Sequence, residues 1–462
     1  MTRTPSVLAS MATAAVALAA TTAVSAPAAA APAPASAGTT ANQYIVKFKP
    51  GADRGRALRQ IGQKHRVTLT ESRQLSVGAH VIRADGSAKG VLQALAARGD
   101  VEYAEPDTPM YALSTPNDPN YSEQWHYFEA TAGLRAPAAW DTATGSGVVV
   151  AVLDTGRTAH PDLDGNTVAG YDFISTSSNA RDGNGRDSNP QDEGDWNATD
   201  NECYTGSKAA NSSWHGTHVA GTIAALSNNG VGVAGVAPSA KVQHVRVLGK
   251  CGGSTSDIAD AITWASGGKV SGVPANSTPA KVINLSLGGS GSCSRTYQNA
   301  INGAVNRGTT VVVAAGNSNA NVSGFVPANC SNVVSVAALD RDGNRAFYSN
   351  YGTQVDVAAP GGEVRLETDP PGTRTTPQNG IMSTMNAGAT TPGDASYKTY
   401  MGTSMAAPHV AGVAALLVGK TSTLTPAQVE SALKNNARAI PGTCSGGCGS
   451  GLVDATATVA AG

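Results

Sequence analysis

The chain has 462 residues, more than one ordinary hydrophobic core holds, so its length implies more than one folding unit, one of them large. A formal net charge of −1, with no Lys/Arg-rich tract, lacks the electrostatic footprint of a nucleic-acid-binding protein. Low charge (14% of residues) together with 53 glycines suits a loop-rich exported protein.

Residues 1–26 read as an export signal. Arg3 supplies a short positive region, Met11 to Val24 form an uncharged apolar run, and Val24-Ser25-Ala26 ends in a small-x-small cleavage pattern. The run is shorter than the ~20 apolar residues of a spanning helix, which argues against an anchor. Asp, Asn, Gly or Ser interrupts every later apolar run. No membrane partner is expected, and the mature protein is expected to be secreted, soluble and monomeric. Residues 27–41 are rich in Ala, Pro, Ser and Thr without apolar periodicity and read as a linker.

Order is expected from Tyr44. Tyr44-Ile45-Val46-Lys47-Phe48 alternates like a strand, and Ala57 to His65 has helical spacing. His80-Val81-Ile82-Arg83 reads as a strand, Ala88 to Ala97 as a helix, and Val101-Glu102-Tyr103-Ala104-Glu105 as a strand ended by Pro106. Together they make a small α+β domain over residues 42–114.

From about Thr115 the texture changes. Val148 to Leu153, Val242 to Leu248, Val282 to Ser286 and Thr310 to Ala315 are nearly continuous apolar runs, with helical segments between several of them. Such runs argue for an α/β domain over residues 115–462, with a mostly parallel sheet covered on both faces. Chemistry in these sheets gathers at the carboxyl ends of the strands.

Three polar motifs stand where such a sheet would display them. Asp154 closes the run Val148 to Leu153 and precedes Thr155-Gly156; taken alone it reads more readily as a turn or capping aspartate. His215-Gly216-Thr217-His218-Val219-Ala220-Gly221-Thr222 enters a small-residue helix. Its histidines lie three apart with no adjacent glutamate base, unlike a zinc-hydrolase helix. Gly402-Thr403-Ser404-Met405-Ala406-Ala407-Pro408-His409 opens another helix. Ser404 could be an N-cap, but Gly402, Ala406 and Ala407 leave room for a peptide at its hydroxyl.

In the order Asp, His, Ser, these motifs resemble the subtilase family of serine proteases over about residues 115–454. The opening and closing strands of the first domain are similar to the inhibitor-type propeptide of the same family. The resemblance implies a three-layer subtilisin-like fold and a secreted endopeptidase of broad specificity, made as a self-processing zymogen whose propeptide is its inhibitor and folding aid. It carries over Asp154 as orienting carboxylate, His215 as general base and acid, and Ser404 as nucleophile. Asn317, at the end of the run Thr310 to Ala315, matches the family's oxyanion-stabilising asparagine. Chemically the set is complete, because an imidazole must accept the serine proton and a carboxylate fixes its tautomer. Two other readings stay in view: a catalytically dead binding protein, against which the complete set argues, and a metal hydrolase, against which the ligand spacing argues.

The resemblance also suggests partners for the triad. Protein and peptide substrates would lie as an added strand between Ser286-Leu287-Gly288-Gly289 and Gly252-Gly253-Ser254. Ala314-Ala315-Gly316 would line an uncharged primary pocket. Pro116-Asn117-Asp118-Pro119 is like thermitase-type subtilases, which implies a structural calcium held by Asp118, Asp162, the Asn229 side chain and the carbonyls of Leu226, Val231 and Val233, an oxygen-only set suited to a hard cation. The acidic loop from Asp182 to Asp195 reads as a further cation site or as a solvated loop.

All six cysteines follow Thr115, and an even number in an exported chain favours disulfides over reduced, buried thiols. Six cysteines permit 15 connectivities. Resemblance to disulfide-bearing secreted bacterial subtilases suggests Cys203–Cys251, Cys293–Cys330 and Cys444–Cys448.

Overall fold

The computed structural model describes residues 43–85, 90–107 and 115–462. The expected signal (1–26) and linker (27–41) lie outside the described residues. The chain divides into two compact units, one up to Tyr111 and one from Ala112.

The first unit runs β1 (Gln43–Phe48), α1 (Arg54–His65), β2 (Thr68–Gln74), β3 (His80–Asp85), α2 (Val91–Ala96) and β4 (Val101–Pro106). Its sheet has the order β2-β3-β1-β4, with every pair antiparallel. Tyr44 and Val46 of β1 point into the core beside Leu58 and Ile61 of α1 and Leu95 of α2. The alternation that marks β1 in sequence is therefore the alternation of its buried face. Asp53 caps α1, its side chain accepting the Arg56 N–H. Sequence reading misses β2. Thr68–Gln74 is exposed along almost its whole length, so it has no apolar face to read, and only backbone pairing to β3 makes it a strand. Helix α2 is shorter than the expected Ala88 to Ala97, starting at Val91 after Gly90 in the left-handed region.

The second unit is built on seven parallel strands: β5 (Val149–Asp154), β6 (Thr167–Asp172), β7 (Lys241–Arg246), β8 (Val282–Leu285), β9 (Thr310–Ala314), β10 (Val334–Leu339) and β11 (Val357–Pro360). Their order across the sheet is β11-β10-β9-β8-β5-β7-β6. The sheet is buried on both faces, which is why its strands read as continuous apolar runs. Along β5, Val150 and Val152 face one core, with Val219 and Ile223 of α3 (His215–Ala224) and Val410 and Leu416 of α6 (Thr403–Lys420). Ala151 and Leu153 face the other, with Ile258 and Ile262 of α4 (Thr255–Ala265) and Ile301 of α5 (Arg295–Asn306). The result is the three-layer α/β arrangement expected from the sequence. Helix α6 is buried nearly all round, as a helix apolar on every side must be.

Parallel pairing puts the carboxyl ends of β5, β7, β8 and β9 on one edge of the sheet. The segments that follow them begin at Thr155, Val247, Ser286 and Ala315. None of the described helices is long and apolar enough to cross a membrane.

Candidate active site

Asp154 is the last residue of β5 and is fully buried. A buried carboxylate needs partners. Its Oδ1 accepts the Thr155 N–H at 2.8 Å, and both oxygens lie against His215 Nδ1, at 2.8 and 2.9 Å. This is no helix cap. His215 is the first residue of α3, where Trp214, in the left-handed region (φ 50°), turns the chain into the helix. Thr155 ties the two motifs together, because its Oγ1 accepts the Gly216 N–H at 3.0 Å.

The His215 side chain keeps about 20% of its surface exposed. Burial works against its charge, but the Asp154 carboxylate outweighs burial through charge and hydrogen bond, and Asp195 and Asp192 add to the pull. The imidazole therefore titrates above its ordinary range. His218 behaves oppositely. Its Nε2 donates to the carbonyls of Ile381 and Lys398 at 3.0 Å each, its ring stacks on Tyr400, and burial, with His215 nearby, pushes it down to about 3. The two histidines of the motif thus face different partners and do not form a metal pair.

Ser404 is the second residue of α6, with Gly402 in the N-cap position. Its Oγ donates to the Ser286 carbonyl at 3.2 Å. The Ser404 carbonyl in turn accepts the Ser286 Oγ–H at 2.8 Å. Pro408 explains that acceptor: it stands four residues on, has no N–H, and leaves the Ser404 carbonyl without its helical donor. Asn284 donates to Ser286 Oγ at 2.9 Å, fixing the hydroxyl from the sheet side.

Asn317 follows β9. Its Oδ1 accepts both the Thr403 N–H (2.8 Å) and the Thr403 hydroxyl (2.9 Å). That leaves the amide nitrogen as the free end. A Cβ on Gly402 would stand 3.5 Å from Asn317 Nδ2 and 3.6 Å from Ser404 N, so the space this glycine leaves open is flanked by two N–H donors. Gly316 is glycine of necessity: φ is +106°, and a Cβ would meet Asn350 Nδ2 at 2.4 Å. Thr403, Thr155 and Asn350 escape sequence reading. All are common capping or turn formers, and only the fold shows what their polar atoms hold.

Two adjoining hollows make one cleft. The larger, about 800 Å³, brings together His215, Gly252, Gly253, Ser286, Leu287 and Gly288. The smaller, about 360 Å³, contains Ser404, Asn317, Gly316 and the uncharged Ala314 and Ala315. Ser286 to Ser290 wall both.

The disulfides are Cys203–Cys251, Cys293–Cys330 and Cys444–Cys448, with Cα separations of 5.2, 5.1 and 6.2 Å and no free cysteine. The first edges the larger hollow.

Asp118 and Asp162 are both buried, and neither forms an ion pair with Lys or Arg among the described residues. Asp118 accepts the N–H groups of Asn228 (2.9 Å) and Asn229 (3.3 Å). Asp162 accepts Asn229 Nδ2 and the Val233 N–H, both at 2.8 Å, while its carbonyl accepts the Leu226 N–H. The Val231 N–H is held by Asn229 Oδ1 at 2.8 Å. Burial raises the Asp162 carboxyl to about 6 despite its bonds to Val233 and Asn229, with the Asp118 charge adding to the rise. Two buried carboxylates without a cationic partner fit a hard cation, although no group of three or more His, Cys, Asp or Glu converges among the described residues.

The acidic loop from Asp182 to Asp195 is partly buried rather than simply solvated. Asp192 is fully buried and raised to about 7 by that burial, and buried Arg246 donates to Asp172 at 2.7 Å and to the Thr155 carbonyl at 3.2 Å.

Comparison with known proteins agrees with this geometry. The Subtilase family matches residues 145–451, and the Fervidolysin N-terminal prodomain matches residues 25–107. An extracellular protease of Xanthomonas campestris pv. campestris is 59% identical over 399 residues, covering 85% of this chain and 66% of that protein. An extracellular basic protease of Dichelobacter nodosus is 44% identical over 442 residues, covering 90% and 70%. A solved protease structure from Pseudoalteromonas arctica superimposes with a TM-score of 0.72 at 61% identity, covering 75% of this chain and 99% of the other. The chain is a member of the subtilase family, a serine endopeptidase preceded by a fervidolysin-type prodomain.

Proposed function

We propose that the cleft cuts protein substrates through Ser404, with His215 as base and then acid, Asp154 as the group that orients it, and Asn317 with the Ser404 N–H as oxyanion donors. His215 Nε2 takes the Ser404 Oγ proton as Oγ attacks the substrate carbonyl. Asp154 holds the proton on Nδ1 and stabilises the imidazolium. The carbonyl oxygen gains charge between the two N–H donors at the start of α6, where the helix dipole adds to them. His215 then passes its proton to the leaving amine, and water repeats the sequence on the acyl-enzyme. In the resting state the Ser404 hydroxyl is on the Ser286 carbonyl, a long bond that substrate pairing along Ser286 to Gly288 would replace.

The observation that carries this reading is the double contact of His215 Nδ1 with a fully buried Asp154. Substrate runs between Gly252-Gly253 and Ser286-Leu287-Gly288, with Gly316 on the floor of an uncharged primary pocket. Residues 42–114 serve as folding aid and inhibitor of residues 115–462, after residues 1–26 direct export. A calcium ion at Asp118, Asp162, Asn229 and the carbonyls of Leu226, Val231 and Val233 would offset the buried charge.

Labelling with a serine-directed acylating inhibitor tests the centre. The expected result is one adduct on Ser404, no hydrolysis of casein by Ser404→Ala, and retention of the propeptide in that variant. Normal maturation of purified Ser404→Ala would remove self-processing from the reading.

A further inference from the structure

An extended substrate sends alternate side chains to opposite sides. If the residue whose carbonyl is attacked fills the hollow of Ala314 to Gly316, the residue before it turns toward the wall that holds His215. Asp195 is on that wall. It is half-buried, and its oxygens accept the Ser213 N–H at 2.6 Å and the Ser213 hydroxyl at 2.8 Å. Ser213 is two residues before His215, so this carboxylate is pinned to the segment that carries the imidazole.

The carboxylate is only partly offset by the protein, through the charge of Arg181 beyond ion-pair distance. Among the described residues no Lys or Arg forms an ion pair with it. Lys208, in the same hollow, is bonded to Asp200 at 2.8 Å. The Arg181 guanidinium lies 3.3 Å over the Trp196 ring and donates to the Gly194 carbonyl. The neighbouring Asp192 is a second acid, and the charge of both is felt at His215. A fixed carboxylate opening into a peptide cleft attracts a cationic side chain and repels an anionic one.

We propose that Asp195 forms a subsite that selects a basic side chain at the substrate residue immediately preceding the one cleaved after. The proposal rests on the cleft assignment above and deepens it, since the expected primary pocket stays uncharged.

The test uses mature enzyme and fluorogenic peptides identical except for Lys, norleucine or Glu at that position, with cleavage points confirmed by mass spectrometry. At alkaline pH and low salt, kcat/KM for Lys over Glu is expected to be about tenfold, attraction and repulsion each contributing at a partly screened charge. The ratio should fall toward one in Asp195→Asn, persist in Asp195→Glu, and shrink in 0.5 M salt. Because it compares two substrates on one enzyme, any change in His215 basicity cancels. Equal Lys/Glu ratios in the native enzyme and Asp195→Asn overturn the subsite while the Ser404 adduct stands. Absence of that adduct overturns the cleft assignment and the subsite with it.

Discussion

At the level of single residues, the site is a set of polar groups each held by a second residue. Asn317 can aim its nitrogen outward only because Thr403 occupies its oxygen twice. Asn317→Leu should lower kcat by about 10²–10³, the loss for which subtilisin itself is the reference case. Thr403→Val keeps the shape but removes the hydroxyl bond, and should cost about tenfold in kcat with little change in KM. A pure rise in KM for Thr403→Val would mean that the hydroxyl serves binding instead. His215 gives a second residue-level expectation. Only its neutral form can accept the serine proton, and Asp154 raises its affinity for protons against the effect of burial. Activity should therefore fall as pH drops through a midpoint above the ordinary histidine value of about 6.5. The stabilisation from this pair has the same sign: it is full below about 6.5 and lost as pH rises through the raised value. A pH series of kcat/KM with an uncharged peptide reads the midpoint directly, and a midpoint below 6.5 contradicts the assignment.

At the level of elements, the loop after α3 receives both Asp118 and Asp162, which each bond to Asn229. Asp162 is raised to about 6, so without a cation it keeps its proton to a higher pH than an exposed carboxyl and carries an unpaired charge above it. A carboxyl raised in the folded state contributes stability at pH below about 3.9, and that contribution disappears as pH climbs through about 6. Chelator-treated protein should accordingly lose thermal stability between pH 4 and 7, and added calcium should restore it more strongly at pH 7 than at pH 5. Scanning calorimetry with and without chelator decides this; identical curves at pH 7 would refute calcium at these residues. Element-level legibility follows burial. Strands β5, β8 and β9 were visible as apolar runs because both faces are covered, whereas β2 has no buried face and is held by backbone pairing alone. The capping alternatives for Asp154 and Ser404 could not be decided from local sequence, since a cap and a catalytic group use the same residue types at the same places.

At the level of the whole molecule, three crosslinks pin loops, one of them at the edge of the cleft. Cys203–Cys251 and Cys293–Cys330 close loops of 48 and 37 residues, and Cys444–Cys448 spans four. Chain entropy assigns about 4 kcal/mol to each long loop and about 2 kcal/mol to the short one. Replacing Cys203 and Cys251 by Ala should lower the melting temperature more than replacing Cys444 and Cys448; the reverse order would show that the short ring carries strain-free packing that entropy ignores. The sequence by itself determined the α/β class, because continuous apolar runs demand a covered parallel sheet, and it set the order of the polar motifs; the roles expected of Asp154, His215, Asn317 and Ser404 came from the family resemblance those motifs carry. Only the tertiary structure decided that His218 faces Ile381 and Lys398 instead of a ligand, that Thr403 and Thr155 hold the site, and that Asp195 opens into the cleft beside His215. These contacts join segments from 18 to 180 residues apart, and no local pattern records which distant partner a polar side chain will meet.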